Sequence, residues 1–231
     1  MDSIEILMKV ENTFGVKIPD REAEQILTVG DFYDAIWKHL SGKISERCKS
    51  QTLFYKLRKA FADHFNSSLH QFRLDSSPNE IFPYNSRRKA YHAFAHTTNL
   101  KLPDLELIRP WTILLNTFGL LTILGGVAIS IILINFFDFT KWTLLIPTLG
   151  ITLTMLLSKL FESKRTSIKA STIRVFTEQI LALNYATLIT ENGTNRKEME
   201  MVINHIIADM AGLDLEEVKS EKKIVDDLGI D

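Results

Sequence analysis

Ser3 is the residue of this 231-residue chain best placed for chemistry. It heads a stripe of Ile4, Ile6, Leu7, Val10 and Phe14, whose spacing predicts an amphipathic helix. A serine oxygen in the first turn of such a helix lies among backbone N–H groups and the positive dipole end, where a phosphate ester is stabilised. Such a hydroxyl is a target for another enzyme and needs no general base of its own. Other candidates are weaker. His92 and His96 are four apart on a predicted helix, a spacing metals use, but no third ligand or hydrolase glutamate accompanies them, so no metal site is expected. Tyr91, Phe94 and Phe61 read as core, and no basic helix interleaved with aromatics suggests a nucleic-acid partner. Without a nucleophile–base–acid arrangement, the chain is expected not to be an enzyme. Cys48, the sole cysteine, rules out an internal disulfide.

The elements that must position Ser3 include a membrane segment. Thr112 to Phe137 and Trp142 to Ser158 carry no charge. At about 1.5 Å per residue the first run crosses a hydrocarbon layer of roughly 30 Å. Residues 111–160 are therefore expected to form a two-helix transmembrane hairpin. Lys101 and Arg109 precede it, Lys159, Lys164, Arg165 and Lys169 follow it, and in the connecting loop Asp138 is balanced by Lys141. By the positive-inside rule both flanks are cytoplasmic, at an inner membrane. The polar N-terminus predicts no signal peptide, so the hairpin itself would direct insertion. Asn66 and Asn192, both in glycosylation patterns, fall on that side and are expected unmodified. Asn116 and Asn135 are too few polar groups for a membrane enzyme.

The chain ends carry matching half-motifs. Ile224 to Asp231, joined to Met1-Asp2-Ser3-Ile4-Glu5, gives Asp-Leu-Gly-Ile-Asp-Ser-Ile-Glu. That run resembles the sequence around the phosphopantetheine-bearing serine of acyl carrier proteins. The resemblance continues through Phe14 to Glu24 and Thr28 to Phe32 in the order of the family's second half, while Ile203 to Val218 resembles its first helix and following loop. It implies one carrier-like four-helix bundle, circularly permuted and divided at its serine, from residues 1–42 and 195–231. It also implies 4′-phosphopantetheine on Ser3, Asp2 and Asp231 shaping the turn, and Glu5, Glu11, Asp226 and Asp227 meeting cations of partner enzymes. Those partners would be a phosphopantetheinyl transferase and acyl-transferring enzymes.

A second, degenerate copy is expected between and beyond these pieces. Ala208-Asp209 laid on Ala62-Asp63 aligns Leu215 with Leu69 and Val218 with Phe72, and a shift of 84 lays Ile18-Pro19-Asp20 on Leu102-Pro103-Asp104. Thr172 to Ile180 echoes Thr28 to Ile36. The copy would comprise 43–110 and a return helix within 161–194; a small unrelated helical or winged-helix-like domain at 46–108 is the alternative. Arg87 stands where Ser3 stands, unless Ser86 has shifted by one, so this copy would be structural. Charge separates the two. Residues 1–42 (8 acidic, 4 basic) and 195–231 (10 and 5) total −9, whereas 43–110 (12 basic, 6 acidic) carries +6.

The fold expected is thus all-α: a carrier-like bundle assembled from both chain ends, a degenerate copy and a transmembrane hairpin. The expected function is a membrane-anchored carrier presenting an acyl or aminoacyl thioester in lipid or fatty-acid metabolism. A cofactor-free carrier-fold scaffold for protein interaction at the membrane is the alternative. Membrane lipid is an expected partner, and helix 197–211 could close within one chain or be exchanged in a swapped homodimer.

Overall fold

The computed structural model describes residues 3–40, 49–137, 141–192 and 195–230. Among the described residues the chain is all-α apart from one short ribbon, and it divides into two compact units: Met1–Tyr84, Lys89–Pro103 and Ala170–Asp231 form the first, Asn85–Arg88 and Asp104–Lys169 the second.

The first unit contains α1 (Ser3–Phe14), α2 (Asp20–Ala23), α3 (Val29–His39), α4 (Lys49–Phe65), α5 (Pro78–Ile81), most of α6 (Arg87–Thr98), α9 (Ile173–Asn192) and α10 (Arg196–Ala211). Helix α3 begins with a reciprocal capping box: Asp31 N–H donates to Thr28 Oγ1 at 3.1 Å, and Thr28 N–H donates to Asp31 Oδ2 at 2.8 Å. Helix α10 starts at Asn195, whose side chain accepts from Glu198 N–H at 2.9 Å, and stops at Gly212, which takes φ +69°. Met199, Val202, Ile203, Ile206, Ile207 and Ala208 are all buried, more of the circumference than one interface covers, because α10 packs against α1, α3 and α9 together.

The carboxy-terminal segment is therefore joined to the front of the chain within one molecule. Val29 N–H donates to the Lys222 carbonyl at 3.0 Å, Gly30 N–H to Ser220 at 2.8 Å, and Ile224 N–H to Leu27 at 3.0 Å. Tyr33 Oη donates to Asn204 Oδ1, and Arg196 pairs with Asp34 at 2.6 Å.

The backbone of this assembly recurs. Helices α1 and α6 both have 12 residues and start 84 positions apart; the 3-10 turns Leu215–Glu217 and Leu69–Gln71 follow α10 and α4 at an offset of 146. Hydrogen bonds repeat as well. Ile173 N–H donates to Ser76 and Arg174 N–H to Leu74, as Val29 does to Lys222 and Gly30 to Ser220. Ser67 N–H to Ala62 matches Leu213 to Ala208, and Leu100 N–H to Ala95 matches Val16 to Glu11. Four of the five left-handed residues described coincide too, Asn66 with Gly212 and Asn99 with Gly15, at φ +48°, +69°, +53° and +63°, whereas Gly229 at φ +65° falls opposite Pro83. Loops and caps with no amphipathic period reproduce the same pairing, which periodicity alone does not require. Helix α9 serves both bundles, packing on α4, α1 and α10, with Tyr185 stacked 5.1 Å from Phe14.

The second unit holds α7 (Arg109–Phe137), α8 (Leu145–Leu160) and a two-stranded antiparallel ribbon of β1 (Glu106–Leu107) and β2 (Arg165–Ser167). No sequence expectation covered the ribbon, whose partners lie about sixty residues apart and are paired only because the hairpin returns its ends to one place. Two helical segments, Arg109–Phe136 of α7 and Leu145–Lys164 (α8 with the 3-10 turn that continues it), are long and apolar enough to cross a membrane. Small residues let them close: a Cβ on Gly126 would meet Pro147 at 3.1 Å, one on Gly150 would meet Thr122 at 3.1 Å, and buried Ser130 Oγ reaches the Gly126 and Thr143 carbonyls at 2.8 and 2.7 Å. Gly126 and Ser130 thus allow close helix contact inside the hairpin.

Candidate functional site

Helix α1 carries Ser3 in its first turn with the side chain half-buried. The buried line along the helix is Ile6, Val10 and Phe14, spaced by four. Ile4, counted in the apolar stripe from sequence, instead faces out, 58% exposed, with Met8 one turn on at 49%. A period-3.6 surface cannot bury positions 4 and 6 equally, since they stand about 200° apart around the axis. Ser3 therefore borders an apolar outer strip on its own helix.

Of the acidic residues expected around it, Glu5 is exposed. Glu11 instead closes the turn after α1, accepting Ile18 N–H at 2.6 Å. Asp226 pairs with Lys223 Nζ at 3.0 Å, and Asp227 accepts Lys223 N–H at 2.9 Å. Both stand in the turn that precedes buried Ile230, and that turn hangs on α3 through Ile224 and Leu27. Asp2 and Asp231, together with Cys48, lie outside the described residues. Arg87, at the position matching Ser3, is buried and its Nη1 donates to the Thr166 carbonyl at 3.1 Å.

The position of Ser3 fits a phosphopantetheinyl ester: a half-buried primary hydroxyl in the first turn of a three-turn helix, at its positive dipole end. Among the described residues no group of three or more His, Cys, Asp or Glu could hold a metal.

Sequence reasoning missed the polar contacts that hold this framework. Glu22 of α2 accepts from His39 Nε2 at 2.7 Å and Lys38 Nζ at 3.0 Å, and these bonds, His39's first, hold its carboxyl below the ordinary value. Between the bundles, Lys49 lies over the Tyr185 ring at 5.5 Å, and burial lowers its ammonium pKa against the opposing pull of Glu198. The Glu198 carboxylate accepts Ser50 N–H at 3.0 Å. No local signal marks these pairs, because they join different helices.

No family model and no solved structure matches the chain. Curated relatives do. An acyl carrier protein of Thermosynechococcus vestitus is 53% identical over 36 residues, covering 16% of this chain and 44% of the relative. One from Rubrobacter xylanophilus is 44% identical over 39 residues, 17% of this chain and 48% of the relative. One from Porphyromonas gingivalis is 45% identical over 40 residues, 17% of this chain and 51% of the relative. The chain spans about half the length of the curated relatives it matches. All three are named as carriers and none as an enzyme, and the chain contains a segment similar to acyl carrier proteins within an all-α fold that also holds two candidate membrane-spanning helices.

Proposed function

We propose that residues 195–231 and 1–42 form a single carrier module in permuted order, which accepts 4′-phosphopantetheine on Ser3 and presents an acyl or aminoacyl thioester to acyl-transferring enzymes. In the loading step the Ser3 oxygen forms a bond to the phosphorus of a nucleotide-linked phosphopantetheine donor, coenzyme A. The phosphoanhydride P–O bond to the nucleotide breaks, the adenosine bisphosphate departs, and the serine proton passes to a base of the transferase. In this reading Asp2 and Asp231 have the turn-shaping role that the carrier resemblance implies, and Glu5, Asp226 and Asp227 meet partner cations; Glu11, tied to Ile18, acts mainly on the turn. Residues 43–110 and 161–194 make the degenerate copy, and the hairpin 111–160 anchors both at the cytoplasmic face of an inner membrane, raising the local concentration of cargo there.

The observation that carries this reading is the seating of α10 and residues 220–230 on α1 and the head of α3 in one chain. A permuted module also accounts for the half-length similarity, since a collinear match captures one of its two pieces at a time. The experiment is intact-protein mass after co-expression with a broad-specificity phosphopantetheinyl transferase. A gain of one phosphopantetheinyl group, lost in Ser3→Ala, is expected. No gain with excess transferase would leave the cofactor-free scaffold as the function.

A further inference from the structure

The second unit gathers cations from three separated stretches at one end of the hairpin. Arg87 and Arg88 come from the head of α6, Arg109 from the first turn of α7, and Lys159, Lys164, Arg165 and Lys169 from the end of α8 and beyond. The same stretches hold only Asp104, Glu106 and Glu162 as acids. The 3-10 turn Phe161–Lys164 packs on α8, β1 and β2 and so fixes these groups to one framework.

Contacts inside the collar sharpen its charge. Arg87 Nη1 donates to the Thr166 carbonyl at 3.1 Å, which seats a buried guanidinium against β2. Arg88 donates to the Glu162 carbonyl and reaches its carboxylate at 3.6 Å, so the acid of the turn is already engaged. Arg109, Lys159, Lys164 and Lys169 remain exposed. Directly beside them the surface turns apolar: Leu160 is 71% exposed, Ile113 56% and Leu114 51%, and Trp111 stacks on Phe161 with ring centroids 5.0 Å apart. Along α7 the order runs from the cation Arg109 through Trp111 to exposed Ile113 and Leu114, the layering of a membrane interface, while Lys159 on α8 has a stem long enough to snorkel.

We infer that this collar binds the headgroups of anionic phospholipid, with the lysine ammonium groups meeting phosphate and Trp111 and Phe161 seated at the top of the acyl region. The inference rests on the reading of α7 and α8 as membrane spans and goes beyond it by naming the lipid class and its contacts. Charge complementarity favours a lipid phosphate over an acidic protein, because the cations ring the apolar ends of both candidate spans, where phospholipid headgroups lie.

The test uses the full chain in detergent, titrated by native mass spectrometry with phosphatidylglycerol and, separately, phosphatidylcholine. Phosphatidylglycerol is expected to bind about tenfold more tightly, and Lys159→Gln/Lys164→Gln/Lys169→Gln, exposed positions whose loss leaves the hairpin core untouched, to remove most of that preference. Excess inorganic phosphate should fail to displace the lipid; displacement would assign the collar to free phosphate and overturn the inference. Equal retention of the two lipids, or a preference that survives the triple variant, overturns it also. Alkaline carbonate extraction of membranes keeps the outcomes apart: release of the chain sinks the membrane reading itself, whereas retention without lipid preference sinks only the collar.

Discussion

Val10 in the first bundle and Phe94 in the second occupy equivalent, fully buried positions on α1 and α6, and the exchange is one of several. Val218 and Ile207 of the first are Phe72 and Phe61 in the second, while Phe14 and Tyr33 of the first are Thr98 and Thr177. Volume gained on one side is given back on the other. The result is a mixed aliphatic and aromatic core around α10 and a dense aromatic cluster around α4, where Phe61 lies within 4.6 to 6.0 Å of the rings of Phe65, Phe72, Phe82 and Phe94. One hydrogen-bonded skeleton thus accepts two different fillings provided total volume is kept. Caps differ as well. At the two shared left-handed positions the first bundle has Gly212 and Gly15, and it has a full capping box; the second has Asn66 and Asn99 there and only the half-box of Val175 N–H on Thr172 Oγ1.

The largest effect that would break this comparison is Phe61→Ala. Removing a side chain 2% exposed at the centre of the ring cluster is expected to cost about 3–5 kcal/mol, well above Val10→Ala, as read by thermal unfolding in detergent. Equal losses would mean that the two cores are packed alike. Next comes Gly30→Ala: the new Cβ would stand 3.0 Å from the Ser220 carbonyl, lowering stability by about 1–3 kcal/mol and speeding amide exchange at Val29 and Gly30. Its counterpart Arg174 already carries a side chain, so Arg174→Ala should change stability by no more than about 0.5 kcal/mol. Gly212→Ala, forced to φ +69°, should lose about 1 kcal/mol, whereas Asn66→Gly at φ +48° should be neutral or gain slightly.

The smallest effect concerns pH. Burial raises the Asp31 pKa, but hydrogen bonds from Thr28 and Leu27 outweigh it and leave the carboxyl below its ordinary value. Its folded pKa lies below its unfolded one, so the contribution to stability is complete above the unfolded carboxylate range and disappears as pH falls through the folded value. Asp31→Ala should therefore narrow the stability gap to wild type on acidification. The cap of α9, with Val175 at that place, should show no such dependence in Val175→Ala.

Much of this was legible in the residues. The apolar period of α1, the charge-free runs of α7 and α8 and the half-motifs at the two ends are local signals, each read within one helix or loop. The recurring hydrogen-bond pattern was legible only as weak alignment, because Phe for Val and Thr for Tyr erase identity while the backbone pairings remain. What sequence did not give is pairing. The outward turn of Ile4, the binding of Glu11 to Ile18, the knot of Glu22 with His39 and Lys38, the sharing of α9 and the ribbon of β1 with β2 all depend on which separate segments meet.

Composition and periodicity alone determined that the chain is helical, that two of its helices are apolar throughout and that Ser3 opens an amphipathic one. Those are properties of single segments, set by side-chain transfer from water and by the 3.6-residue turn. The half-motifs at the chain ends already implied that α10 joins α1 and α3; tertiary structure decided that it does so within one chain and that seven cations from three stretches gather at one end of the hairpin. Backbone N–H and C=O groups at helix ends and loops must find partners, and which partner each finds is fixed only when the whole chain has closed.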